Sequence, residues 1–128
     1  MNKEEKRTLI EQYIDAYNNF DVQKMLTVIH TDIEFVNISD GKVTASASGI
    51  DQFHQMALQS KNLFASRKQR IIRFFEKDNE AVVDLDYEGV FAIDLPNGIK
   101  AGESLHIKGC SEFVFKDGKI FRITDIAL

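Results

Sequence analysis

The chain has 128 residues, 44% hydrophobic and 28% charged, with twenty acids against sixteen bases and a net charge of −4. That length fits one domain with one sizeable core, and the balance excludes a multidomain enzyme and a disordered, collagen-like or membrane-spanning chain. The negative charge gives no general attraction to nucleic acid or an anionic membrane, so neither is expected as a partner. The lone Cys110 cannot form an internal disulfide, and the charged start from Met1 to Arg7 lacks the apolar run of a signal peptide, so a cytoplasmic location is expected.

Between Glu4 and Asn18 the apolar residues Leu9, Ile10, Tyr13, Ile14 and Tyr17 recur at helical spacing, with Asn18-Asn19 as a stop, which predicts a first helix. Asp21 reads as the N-cap of a second, short helix whose Val22, Met25, Leu26 and Ile29 pack it against the first as a hairpin. The run Asp32 to Ile38 is β-branched and aromatic and predicts a strand turned by Asp40-Gly41, with a short strand over Val43 to Ala47. Ser48-Gly49-Ile50-Asp51 is similar to a capping box opening a third helix, with Ile50, Phe53, Ala57 and Phe64 on one face. Four alternating segments follow, Arg67 to Glu76, Ala81 to Leu95, Ser104 to Phe115 and Lys119 to Ala127, separated by Asp78-Asn79, Pro96-Asn97-Gly98 and Asp117-Gly118. Helices first and strands last predict an α+β fold, with three N-terminal helices on one face of a curved, mostly antiparallel sheet.

Hairpin register decides the faces, because a one-residue slip sends every side chain to the opposite face. At Asp117-Gly118 a two-residue turn sets Phe113 opposite Arg122. A three-residue loop with Gly118 in a bulge sets Phe113 opposite Phe121 and Glu112 opposite Arg122. The second form is expected, since it gathers Phe113, Phe115, Phe121 and Ile123 on the covered face. At Asp78-Asn79 the same reasoning pairs Phe74 with Val83 and Ile72 with Leu85 inside, and Arg73 with Asp84 outside. Asp84, Asp86 and Glu88 then lie on a solvated outer face, where no metal site is expected.

One covered position breaks the apolar pattern. Asp125 shares parity with Phe121, Ile123 and Ala127, which points its carboxylate inward beside Gly109. A carboxylate there is hydrogen-bonded, paired or raised in pKa by desolvation, and the missing side chain at Gly109 leaves room for a partner or ligand. Two readings stay open: an acid-base group in a pocket, or a strand-end residue that reaches solvent or a helix cation. Asn37, Ser111, Tyr87, Tyr13 and Tyr17 share the interior with Phe35, Phe53, Phe113, Phe121 and Ile123, the make-up of a small-molecule pocket. For each tyrosine an ordinary buried hydrogen bond is the competing account. Arg70, with inner parity opposite Tyr87, is placed at the pocket mouth, and His54, beside Phe53, at its edge. Arg67, Lys68, Arg70 and Arg73 crowd one strand, but alternation spreads them over both faces and makes no nucleic-acid surface. His30, His54 and His106 lack metal-ligand spacing, and Cys110 has no histidine to activate it.

The segments Tyr13-Ile14-Asp15-Ala16-Tyr17-Asn18-Asn19-Phe20-Asp21, Gly49-Ile50-Asp51-Gln52-Phe53 and Phe115-Lys116-Asp117-Gly118-Lys119-Ile120, in this order of elements, resemble the nuclear-transport-factor-2-like superfamily. Within it the SnoaL-like and ketosteroid-isomerase-like branches are the most similar, over nearly the whole chain. The resemblance implies a cone-shaped α+β barrel, a bent sheet wrapping a pocket under the helices, and homodimers formed through the outer sheet face. In ketosteroid isomerases a helix-one tyrosine donates to the developing oxyanion, a first-strand acid shuttles the proton, and a protonated acid on a later strand assists. Tyr13 matches the tyrosine, but the two acids fall on Asn37 and about Ser111, so steroid isomerisation itself is not expected. In SnoaL-like cyclases an acid near the last strand acts on the substrate proton. Asp125 falls in that region, although Ile123 and Thr124 stand where an aromatic residue and a histidine are common.

The expected function is therefore that of a cofactor-independent isomerase, cyclase or dehydratase. Asp125 takes or returns a proton beside a carbonyl, and Tyr13 or Asn37 steadies the oxyanion. The alternative is a non-catalytic pocket for a small apolar ligand, or a dimeric scaffold whose cavity is a by-product of the fold.

Overall fold

In a computed structural model, which describes residues 1–128, helix α1 runs over Lys3–Asn18. A capping box starts it: the Glu5 N–H donates to Asn2 Oδ1 at 2.8 Å and the Asn2 N–H to Glu5 Oε1 at 3.1 Å. Phe20, at φ 57°, turns the chain, and Asp21 caps the short α2 (Val22–Leu26) by accepting the Lys24 N–H at 3.1 Å. Strands β1 (Ile29–Ser39) and β2 (Lys42–Ser48) meet at Asp40-Gly41, where φ of 53° and 73° supply the left-handed pair that a two-residue hairpin turn demands. Helix α3 (Ile50–Lys61) begins at Gly49 with no side-chain cap. The Ser48 N–H donates to Gln52 Oε1 while the Ser48 hydroxyl leaves for Glu34, so the expected capping box is replaced by a reversed one-sided bond.

Phe64 opens β3 (Phe64–Lys77) instead of extending the face of α3. Strands β4 (Glu80–Phe91), β5 (Ser104–Lys116) and β6 (Lys119–Ala127) complete an antiparallel meander, with β4 stopping at Phe91 rather than Leu95. The six-stranded sheet has the order β2-β1-β6-β5-β4-β3, and β1 lies parallel to β6, so the N-terminal hairpin is stitched to the end of the meander. No helix is long and apolar enough to cross a membrane.

Two hairpin registers differ from expectation, each through a bulge. In β5–β6, Lys116 faces Lys119 across a two-residue turn, and the pairing then shifts between Phe115↔Ile120 and Val114↔Arg122. Phe121 is the extra residue. Its ring sits on the outer face, edge-on to His30 at 5.2 Å, while Ile120 takes the buried place. Glu112 consequently faces Thr124, and Phe113 faces Ile123. In β3–β4, Phe74↔Val83 and Arg73↔Asp84 hold as expected, but Ile71, not Ile72, faces Leu85. Ile72 is the extra residue and is 53% exposed. Each bulge adds twist and bends its strand, which curls the sheet around the helices.

Cross-strand partners arrange the concave face in rows. Ala81, Phe113, Ile123, Phe35 and Ala47 form one row, all buried, with Phe53 of α3 and Tyr13 of α1 packed on it. The next row is Val83, Ser111, Asp125, Asn37 and Ala45; Val83 is still packed in the core, and the other four border a cavity.

Candidate functional site

The cavity has a volume of about 570 Å3 and lies between α1, α3 and the concave sheet face. Seventeen of its twenty-five lining residues are hydrophobic. Size and lining fit the roughly 300–1,000 Å3 of small-molecule sites, which hold a few polar groups among apolar walls.

The polar row makes one end. Asp125 is half-buried and lines the cavity, and the Ser111 hydroxyl donates to its Oδ1 at 2.5 Å. Desolvation pushes the carboxyl up to about 6, against the Ser111 hydrogen bond, which favours the ionised form and pulls it down. Gly109, the expected neighbour, faces Ala127 instead, and a Cβ there would meet the Ile126 carbonyl oxygen at 3.0 Å. Asn37 is the parallel partner of Asp125 on the other side. Its Nδ2 is committed to Thr44 Oγ1 at 2.7 Å and Ser39 Oγ at 3.4 Å, which leaves the amide oxygen as its free polar atom.

Tyr13 closes this end from above. Its side chain is 5% exposed, its ring packs edge-on against Phe113, and its hydroxyl has no hydrogen-bond partner in the protein. Burial, then the charge of Asp125, holds its pKa well above the usual phenol value, so it stays a neutral donor. Tyr17, one turn along α1, shares a hydrogen bond with Tyr87 of β4 across 2.8 Å, and burial raises both phenols. Asn18 anchors this end of α1 by donating to the Gln69 carbonyl and accepting the Gln69 N–H.

The far end holds a residue that sequence reasoning missed. Arg67 of β3 is 5% exposed and lines the cavity. Its Nε donates to the Tyr17 carbonyl at 3.0 Å and its Nη1 to Ser60 Oγ at 3.4 Å, with the guanidinium 3.6 Å from the Tyr17 ring centre. The bulge at Ile72 turns Arg67 and Gln69 inward and Arg70 outward.

Tyr13, Tyr17, Phe35, Asn37, Phe53, Tyr87, Ser111 and Asp125 thus line the cavity together, and five expected lining residues do not. Phe113 and Ile123 belong to the packed row beneath it. Phe121 is outside. Arg70 is exposed and pairs with Asp86 at 3.0 Å on the outer face. His54 is not among the α3 residues that meet the cavity, which are Phe53, Met56, Ala57, Gln59 and Ser60. Asp86, Glu88 and His106 bring ligand atoms within 4.8 Å of one another on the outer face. There Asp86 lies 2.8 Å from the His106 ring nitrogen and accepts from Arg70 at 3.0 Å.

A family model of the SnoaL-like domain matches residues 10–123. The chain belongs to the SnoaL-like family. Solved structures place this SnoaL-like chain in the nuclear-transport-factor-2-like fold. A candidate polyketide cyclase from Xanthomonas campestris pv. campestris superposes with a TM-score of 0.85 at 20% identity, covering 98% of this chain and 92% of that one. TsrD from Streptomyces laurentii gives 0.82 at 17% identity, covering 99% and 90%. An LEH-like epoxide hydrolase of M. tuberculosis gives 0.77 at 14% identity, covering 97% and 83%. Such identities carry the fold alone. Among curated proteins none matches this sequence.

Proposed function

We propose that this SnoaL-like protein takes a small, mostly apolar molecule into its cavity and moves a proton on it, in an isomerisation, aldol cyclisation or dehydration that uses no metal or organic cofactor. Asp125 carries the reading: a carboxyl poised near 6, facing an apolar cavity, exchanges protons readily at physiological pH. The ionised Asp125 takes a proton from carbon beside a carbonyl, and the electron pair moves to the carbonyl oxygen. The Tyr13 hydroxyl, which has no protein partner, donates to that oxygen. Asp125 then returns the proton to another carbon in an isomerisation, to a departing hydroxyl in a dehydration, or, in an aldol cyclisation, to the alkoxide left when the enolate carbon attacks a second carbonyl carbon and its C=O π bond opens. Asn37, its amide hydrogens committed, contributes an acceptor and not the oxyanion donor.

Two structural neighbours, a candidate polyketide cyclase and an LEH-like epoxide hydrolase, support the small-molecule part of this reading. The largely apolar wall also suits a second reading, a pocket that binds an apolar ligand without turnover. Deuterium incorporation into 2-tetralone and cyclohex-2-enone, followed by NMR in D2O, separates the two. Catalysis predicts exchange above the buffer rate that Asp125→Asn abolishes. Binding of these ketones without exchange leaves the second reading standing. The homodimer implied by the family resemblance is part of the proposal. Ile72 and Phe75, 53% and 55% exposed on β3, supply apolar outer surface for it, and sedimentation equilibrium tests it.

A further inference from the structure

Arg67 is a buried cation without a counter-ion. No ion pair in the chain includes it. Its two hydrogen bonds go to neutral oxygens, the Tyr17 carbonyl and the Ser60 hydroxyl, and its plane lies over the rings of Tyr17 and Phe20, 3.6 and 4.6 Å from their centres. The carbonyl of Tyr17 belongs to the last turn of α1, whose dipole carries only about half a unit of negative charge, so most of the guanidinium charge is unbalanced. A buried charge in that state is costly unless something pairs it. Nη2 donates to no protein group. Since no fully buried side-chain nitrogen or oxygen lacks a partner, Nη2 keeps some accessible surface, and Arg67 is one of the residues that line the cavity.

Arg67 and Asp125 occupy opposite ends of that cavity. Arg67 faces Gly89 on β4, whereas the row of Asp125 crosses β4 at Val83. Six residues of extended strand separate those positions, about 20 Å along the curved sheet. We propose that the ligand is an apolar molecule bearing a carboxylate, seated on the Nη edge of Arg67, with its apolar body reaching toward Asp125. The inference rests on the cavity being a small-molecule site, as proposed above, and adds the class of molecule. The planar fork of arginine suits a carboxylate better than a lysine would, and the aromatic faces of Tyr17 and Phe20 hold it in plane. An ionised Asp125 repels the same group, so the two ends set the direction of binding. The head docks at Arg67 and the carbon chemistry falls at Asp125.

Isothermal titration of the full chain at pH 7.5 with decanoate and biphenyl-4-carboxylate, each against its neutral primary amide, tests this. The carboxylates are expected to bind roughly ten- to a hundredfold tighter than the amides. Arg67→Gln should erase that preference while leaving amide affinity in place, and Arg67→Lys should retain part of it. Because Arg67 also holds the end of α1, the wild-type protein supplies a second readout. The Arg67 Nε–H resonance should move on titration with decanoate and stay in place with decanamide. Equal affinity of carboxylate and amide, a preference that survives Arg67→Gln, or an unmoved Arg67 resonance overturns the inference and leaves Asp125 chemistry untouched. Binding of neither series overturns it together with the small-molecule reading.

Discussion

Ser111 and Asp125 are direct cross-strand partners, and the serine hydroxyl donates to the carboxylate at 2.5 Å from inside the same cavity wall. This bond opposes the desolvation that raises Asp125. Its loss in Ser111→Ala leaves desolvation unopposed, so the Asp125 midpoint should rise from about 6. The 13C shift of the Asp125 carboxyl against pH reads it directly, and any proton-transfer activity should lose its acidic side in step. A midpoint that falls would show that the hydroxyl serves the protonated acid instead.

The raised pKa also has a cost in stability. A carboxyl at about 6 in the folded chain and at 3.8 in the unfolded one binds its proton more tightly when folded. Its contribution is therefore complete below 3.8 and is lost as the pH climbs through about 6. The difference corresponds to an upper bound of about 3 kcal/mol. Asp125→Asn, which mimics the neutral acid, should be more stable than the wild type at pH 7.5 by up to that amount and equal to it near pH 4. Urea unfolding at the two pH values measures this, and the difference between the two proteins cancels the other titrating groups. A variant less stable than wild type at pH 7.5 would mean the ionised carboxylate is held by partners that the present contacts do not include.

The helices and strands were legible because their apolar residues repeat at the right periods, and Asp125 was legible as an inward acid. Its neighbour was not. The expected register misplaced β6 by two residues, which changes the partner from Gly109 to Ser111 but preserves the face. Phe121 and Arg70 lie where a single inserted residue reverses the parity. In Ile71-Ile72 and Ile120-Phe121 both members are apolar, so either can turn inward at little difference in transfer free energy, and alternation cannot tell which one bulges. Arg67 was lost for the same reason. A basic run reads as surface, and only the bulge at Ile72 turns one of its members under α1.

Lys6 and Glu76 form an uneven ion pair, and their substitutions should be uneven too. Lys6, 4% exposed at its side chain, donates to Glu76 Oε2 at 2.6 Å and to the Asp78 carbonyl, while Glu76 keeps 26% exposure. Glu76→Ala strands a buried ammonium and should cost about 3–5 kcal/mol. Lys6→Met fills the same space with apolar atoms and leaves a carboxylate that reaches water, so its cost should be smaller, about 1–2 kcal/mol. Urea denaturation of both variants checks the order. A larger loss in Lys6→Met would indicate that the carboxylate, and not the ammonium, is the group that needs its partner.

Tyr17 and Tyr87 tie α1 to β4 beside Arg67. Their hydroxyls lie 2.8 Å apart and their rings meet edge-on with centres 6.2 Å apart, so removing one oxygen takes away the hydrogen-bond partner that the other has across the α1–β4 seam. Tyr17→Phe and Tyr87→Phe should each lower stability by about 1 kcal/mol, and the double variant by little more than either alone. That pattern is a coupling of about 1 kcal/mol, measurable by a cycle of urea unfolding curves. Because Tyr17 also lies under the Arg67 guanidinium through its ring, which both substitutions keep, carboxylate preference should survive in all three variants. Additive losses would instead show that each hydroxyl is satisfied separately by water in the cavity.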